Sequence, residues 1–127
     1  MTQTASHLHG KRVLVVEDEA LVAMLIEDCL EGFGCDVVGP CNTVEAALEA
    51  ARTQAFDVAV LDVNLRGSRV YPVAELLTDR HIPFLFLSGY GDEAIPPDRP
   101  GWTVCAKPFR VNDLERLLSA ALAPGVQ

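Results

Sequence analysis

Basic residues are scarce in this chain: ten Lys and Arg face eighteen Asp and Glu, for a formal net charge of -8 at pH 7. General nucleic-acid binding needs Lys and Arg clustered on one face to neutralise phosphates, so this balance argues against it. Long apolar runs are missing too. None approaches the ~18 residues that a membrane helix needs, and the opening Met1 to His7 lacks the apolar core of a signal peptide. No membrane association and a cytoplasmic location are therefore expected. The four cysteines, Cys29, Cys35, Cys41 and Cys105, form neither a Cys-x-x-Cys pair nor a spacing typical of zinc sites. They are expected to be buried or half-buried free thiols, because free Cys packs as a small hydrophobe. His7, His9 and His81 lie apart from the acidic cluster described below and are assigned no chemistry. Repeats, an internal linker and a second domain are also absent, and 127 residues suit one domain with its own core.

What the chain has is an alternation of periods. Apolar runs near 12–16, 36–39, 57–61, 83–87 and 102–106 are rich in Val, Leu and Phe. Most are too continuous for a sheet with one wet face. Helical patterns separate them. Val22, Ile26, Cys29 and Phe33 line one face of a helix that ends near Gly32 or Gly34. Thr43 is placed to cap a second helix with the inner stripe Val44, Ala47, Leu48 and Ala51. A third begins around Val70 to Pro72 and buries Val73, Leu76 and Leu77. The last carries Val111, Leu114, Leu118 and Ala121, with Asp113 in its first turn, where the macrodipole favours an anion. Three prolines between Gly89 and Trp102 leave room there for a short or irregular helix at most. Alternating strands and crossovers predict an α/β fold, a doubly wound parallel sheet. The expected boundaries are a flexible tail over 1–10, the domain over 11–123 and a short tail over 124–127.

The strand ends carry the chemistry. Val13 to Val16 closes on Glu17-Asp18, Val58 to Leu61 on Asp62, Phe84 to Leu87 on Ser88, and Thr103 to Ala106 on Lys107-Pro108. In a parallel sheet these ends share one edge, where ligands bind. A carboxylate attacks phosphorus only if the repulsion between two anions is offset, and Mg2+ held by carboxylates offsets it. Glu17 and Asp18 are its natural holders. Asp62 is placed to share the ion and act as nucleophile through an aspartyl phosphate. Lys107 would neutralise a phosphoryl oxygen as a point charge, and Ser88 would donate a hydrogen bond.

At these residues the chain resembles the receiver domain of bacterial response regulators, over roughly Lys11 to Ala123. The pieces that carry the likeness are Val13 to Glu19, Asp57 to Leu65, the strand ending in Ser88-Gly89, and Lys107-Pro108-Phe109. Phe84 to Gly91 looks like the receiver subfamily named for a Phe-Ala-Thr-Gly signature followed by Gly or Tyr, with Leu87 and Ser88 departing from it. The resemblance implies a flavodoxin-like sandwich of five parallel strands in the order 2-1-3-4-5. It also implies Asp62 as phosphoacceptor, Asp18 and Asp62 as direct magnesium ligands, Glu17 in support, and the backbone carbonyl of Asn64 as a further ligand. A phosphohistidine donor, on a sensor histidine kinase or a histidine phosphotransfer protein, would supply the phosphoryl group. A Ser88 hydroxyl that follows this group and a cis Lys107–Pro108 peptide belong to the same expectation.

Two positions depart from receivers in general. Val104 stands where many carry a Tyr or Phe that swings inward on phosphorylation, and Arg66 stands where proline is frequent. With no ring at 104, the response to phosphate is expected in the segment from Gly89 to Pro100, with Tyr90 as reporter. Only a few residues follow the last helix, so a stand-alone regulator that signals through an unidentified downstream protein is expected. Two other readings are a turnover phosphohydrolase using Asp62 and a phosphate-independent docking module. Phosphatases of that type often place a second Asp two residues after the nucleophile, and here that position is Asn64.

Overall fold

The continuous apolar runs become the inner strands of a parallel sheet in the computed structural model, which describes residues 8–89, 95–96, 98–99 and 101–123. The elements are β1 (Arg12–Val16), α1 (Ala20–Gly32), β2 (Asp36–Cys41), α2 (Val44–Thr53), β3 (Val58–Asp62), β4 (Asn64–Leu65), β5 (Ser68–Arg69), α3 (Tyr71–Asp79), β6 (Phe84–Ser88), β7 (Val104–Ala106) and α4 (Val111–Leu122). The main sheet has the order β2-β1-β3-β6-β7, and all its pairings are parallel. With the short β4–β5 hairpin set aside, this is the expected 2-1-3-4-5.

Side chains alternate across a strand, so each central strand feeds two cores at once. Leu14, Val16, Ala59, Leu61 and Phe86 pack with Ala47 and Ala51 of α2 and with Val73, Ala74 and Leu77 of α3. Val13, Val15, Val58, Val60, Leu85 and Leu87 pack on the other side with Ile26 and Leu30 of α1 and Leu114 and Leu118 of α4. Helices on both faces explain why β3 is buried along its whole length.

The helices follow their sequence signals closely but not everywhere. Thr43 caps α2 as expected, its Oγ1 accepting the Ala46 N–H at 3.1 Å. The fully buried line of α1 is Ala23, Ile26 and Leu30, while Val22 and Cys29 are half-buried beside it. Leu76 of α3 is likewise half-buried, and Ala74 takes the inner place. Val111 is 51% exposed and borders an open apolar groove with Val22, Leu25 and Phe109, where its spacing had suggested a core position. The Lys107–Pro108 peptide is cis.

The tail boundary at Lys11 needs correction. Leu8 is fully buried against the α1/α4 side, and its carbonyl accepts both the Cys35 thiol at 3.3 Å and the Lys11 N–H at 3.0 Å. Gly10 N–H reaches the Gly34 carbonyl at 2.8 Å. A single Leu between histidines has no periodicity, so its burial left no trace in the pattern. The β4–β5 hairpin escaped notice for a similar reason, since its strands are two residues each. Its loop, Arg66-Gly67, has positive φ at both positions (51° and 84°), the geometry that suits a two-residue hairpin turn.

The expected short or irregular fourth helix, and the response of the segment around Tyr90, fall largely on positions outside the described residues. Of the segment's end, Trp102 packs edge-on against Phe84 and Phe86, with ring centroids 5.5 Å apart in each pair. Arg99 lies over the Trp102 ring and pairs with Glu75 of α3. Among the described residues no helix is long and apolar enough to cross a membrane.

Leu8→Ala should lower unfolding free energy by about 2–4 kcal/mol through the cavity it leaves. Urea denaturation of the full chain checks this, and a change within a few tenths of a kcal/mol would return Leu8 to the tail.

Candidate functional site

The sheet delivers the expected side chains to one edge. Glu17 and Asp18 leave the end of β1, Asp62 closes β3, Ser88 closes β6, and Lys107 follows β7. β3 lies between β1 and β6, and β7 lies next to β6. The four strand ends are therefore consecutive along the edge. Glu17, Asp62 and Ser88 are the buried polar residues among those described, at 2%, 7% and 3% exposure. The half-buried Lys107 ammonium sits 3.4 Å from Glu17 Oε1 and 3.5 Å from Asp62 Oδ1. Its backbone N–H donates to the Ser88 carbonyl at 2.9 Å, which ties the β7 end to the β6 end.

Backbone amides complete the setting. Glu19 N–H donates to Glu17 Oε2 at 3.2 Å, and Asn64 N–H donates to Asp62 Oδ1 at 3.4 Å. Arg66 N–H donates to Asp18 Oδ2 at 2.9 Å. Asp18, Asp62, Asn64, Arg66, Ser88 and Lys107 line an open cleft of about 490 Å3. All six expected site residues thus meet here, with Glu17 beneath the cleft. Sequence reasoning did not assign Arg66 to the site. Its signal was the replacement of a frequent proline, which freed an N–H.

Charge is unbalanced in this edge. Three carboxylates face one ammonium, and burial followed by the Asp62 charge pushes the Glu17 carboxyl up to about 7, against the pull of the Glu19 N–H and Lys107. One oxygen from each of Glu17, Asp18 and Asp62 lies within 4.8 Å of the other two. Hard oxygen donors around an excess of negative charge fit a divalent cation such as Mg2+. The same cleft exposes a carboxylate beside an ammonium and a hydroxyl, which is what a transferred phosphoryl group requires.

The residues left out of the site are unremarkable. Among the described histidines, His9 and His81 are exposed and do not line the cleft, while His7 lies outside the described residues. All four cysteines are free thiols. Burial raises each of them, Cys35 up to about 11, which suits inert packing and not nucleophilic chemistry.

Comparison with known proteins agrees with this geometry. Residues 13–118 match the response regulator receiver domain family. The phyllosphere-induced regulator PhyR of Methylorubrum extorquens is 31% identical over 87% of the chain and 43% of its own length. The chain spans about half the length of the first curated relatives it matches. The solution structure of SdrG from Sphingomonas melonis Fr1 superimposes with a TM-score of 0.79 at 38% identity, covering 95% of this chain and all of that one. The receiver domain of the Pseudomonas aeruginosa sensor histidine kinase PA1611, solved with magnesium coordinated in its active-site cleft, gives a TM-score of 0.77 at 25% identity over 89% of this chain and 98% of that one.

The raised Glu17 carboxyl makes metal-free stability depend on pH. Its folded value of about 7 lies above the ordinary 4.5, so the folded state holds the proton more tightly. The contribution is full below the ordinary value and lost as pH rises through the folded one. Glu17→Gln should remove this slope and, in EDTA at pH 8, exceed the parent in stability by on the order of 1 kcal/mol. Parallel urea titrations at pH 5 and 8 check it; equal slopes for parent and variant would contradict it.

Proposed function

The chain belongs to the response regulator receiver family, and on that premise we propose that it works as a phosphoacceptor in a two-component phosphorelay, with Asp62 as the residue modified. The observation that carries this reading is the convergence of Asp62, Lys107, Ser88 and the Glu17-Asp18 pair on one open cleft. The donor is a phosphohistidine on a sensor histidine kinase or a histidine phosphotransfer protein. A carboxylate oxygen of Asp62 forms the new O–P bond as the N–P bond breaks, and the imidazole leaves with the electron pair and takes a proton from solvent.

Each residue contributes through its position. Glu17, Asp18 and Asp62, with the backbone carbonyl of Asn64, are the groups that would hold Mg2+. When bound, the ion supplies positive charge against the phosphoryl oxygens. Lys107 already lies between Glu17 and Asp62, so it meets the developing charge without reorganising. Ser88 presents its hydroxyl from the adjacent strand end to the phosphoryl group once it sits on Asp62. The modification adds roughly -1.5 to -2 charge to an already acidic edge. Output then passes to a partner protein. The chain's acidic balance supports protein recognition over direct contact with DNA. Asn64 carries an amide where a turnover phosphohydrolase often has its acid, which favours stoichiometric acceptance over repeated hydrolysis.

Acetyl phosphate with Mg2+ should add one phosphoryl equivalent, seen by intact-mass spectrometry, and Asp62→Asn should take up none. Lys107→Ala should slow uptake by about 10²–10³, while Ser88→Ala should still become modified. Uptake by Asp62→Asn equal to the parent would overturn the assignment, and steady phosphate release from varied monoesters would favour the hydrolase.

A further inference from the structure

Arg66 occupies a turn that arginine does not favour. Both loop residues of the β4–β5 hairpin have positive φ, and such turns select Asn, Asp or Gly because a Cβ is strained there. Gly67 meets that demand at the second position. Arg66, with φ 51°, does not. Its side chain offers a reason: Nε donates to the Asn42 carbonyl at 3.2 Å, next to the Thr43 cap of α2. Its backbone N–H meanwhile donates to Asp18 Oδ2 at 2.9 Å, a short and charge-assisted bond. One residue thus stitches the hairpin to the end of β1 and to the rim beyond β2.

The three carboxylates of the cleft are held in different ways. Glu17 is fixed by the Glu19 N–H and Lys107, and Asp62 by the Asn64 N–H and Lys107. Asp18 is half-buried, and the ion pairs of Lys107 go to Glu17 and Asp62. Among the described residues, the hydrogen bond that orients it comes from Arg66. A proline at this position would have no N–H to give, and its φ is locked near about -65°.

We propose that Arg66 is a positioning residue for the cation site: its backbone N–H sets the rotation of the Asp18 carboxylate, and its guanidinium fastens the hairpin that presents that N–H. This rests on the reading of Asp18 as a cation ligand. Fixing a ligand before the ion arrives removes a reorganisation that binding would otherwise have to oppose, as outer partners of metal ligands do.

The test is a double-mutant cycle on the full chain, with MgCl2 titrated by calorimetry or by amide shifts, and with unfolding midpoints measured in EDTA. Arg66→Pro should weaken Mg2+ binding by about tenfold, and Arg66→Gly, which keeps the N–H and accepts positive φ, by no more than about threefold. In an Asp18→Asn background Arg66→Pro should have no further effect, because the two act as a unit. A purely structural role would lower the unfolding midpoint and leave the affinity of the folded protein unchanged. The proposal is overturned if Arg66→Pro binds within twofold of the parent, if Arg66→Gly loses as much as Arg66→Pro, or if the loss persists beside Asp18→Asn. Should Arg66→Pro not fold, amide exchange decides: protection of the Arg66 N–H in the parent should fall at least tenfold in Asp18→Ala, and unchanged protection would overturn it. An Asp18→Asn variant that binds Mg2+ like the parent would instead remove the underlying reading of the site.

Discussion

The crowding of three carboxylates around one ammonium is the constraint on which the rest of the structure depends. Lys107 lies within 3.5 Å of an oxygen on both Glu17 and Asp62, where its charge offsets part of the cost of burying two acids side by side. The fold holds this arrangement from beneath. Every central strand has both faces packed against helices, so the strand ends are rigid, and parallel pairing puts them side by side. The imbalance that remains is what the proposed function draws on: an edge short of positive charge suits a cation, and a cation would make an anionic phosphoryl donor tolerable.

The fold and most of the site were legible because their signals are long or chemically loud. Val58 to Leu61 reads as a fully buried strand since nothing in it can face water, and Asp62 at its end then stands out. Thr43 read as a cap because its hydroxyl matches an orphan amide. Other features had no such signal. Leu8 is one apolar residue with no period, and its burial depends on Cys35 and Gly34, more than twenty residues later. The β4–β5 hairpin is too short for strand patterning, and an Arg-Gly turn argues against the turn chemistry that would have flagged it. Val111 kept helical spacing but starts its helix, and periodicity cannot tell where a helix overhangs the sheet.

Two kinds of support therefore converge on Asp18. Sequence placed it after β1 with Glu17, and tertiary structure added an amide from a residue 48 positions away. Local pattern can name a candidate ligand, but its orientation comes from loops whose course only the assembled sheet determines. The hairpin is the clearest case, because it forms a wall of the cleft without belonging to the main sheet.

The aromatic packing of Trp102 has a practical side. It is the only tryptophan in the sequence, and it touches Phe84 and Phe86 on the strand that ends at Ser88, with Arg99 over its face. Its emission therefore comes from one environment, in which a stacked guanidinium and two rings set the local field. Any shift of the β6–β7 edge, or any release of Arg99 from Glu75, alters that environment at a single fluorophore. The chain thus carries its own optical gauge, packed on Phe86, which stands two residues along β6 from the hydroxyl in the cleft.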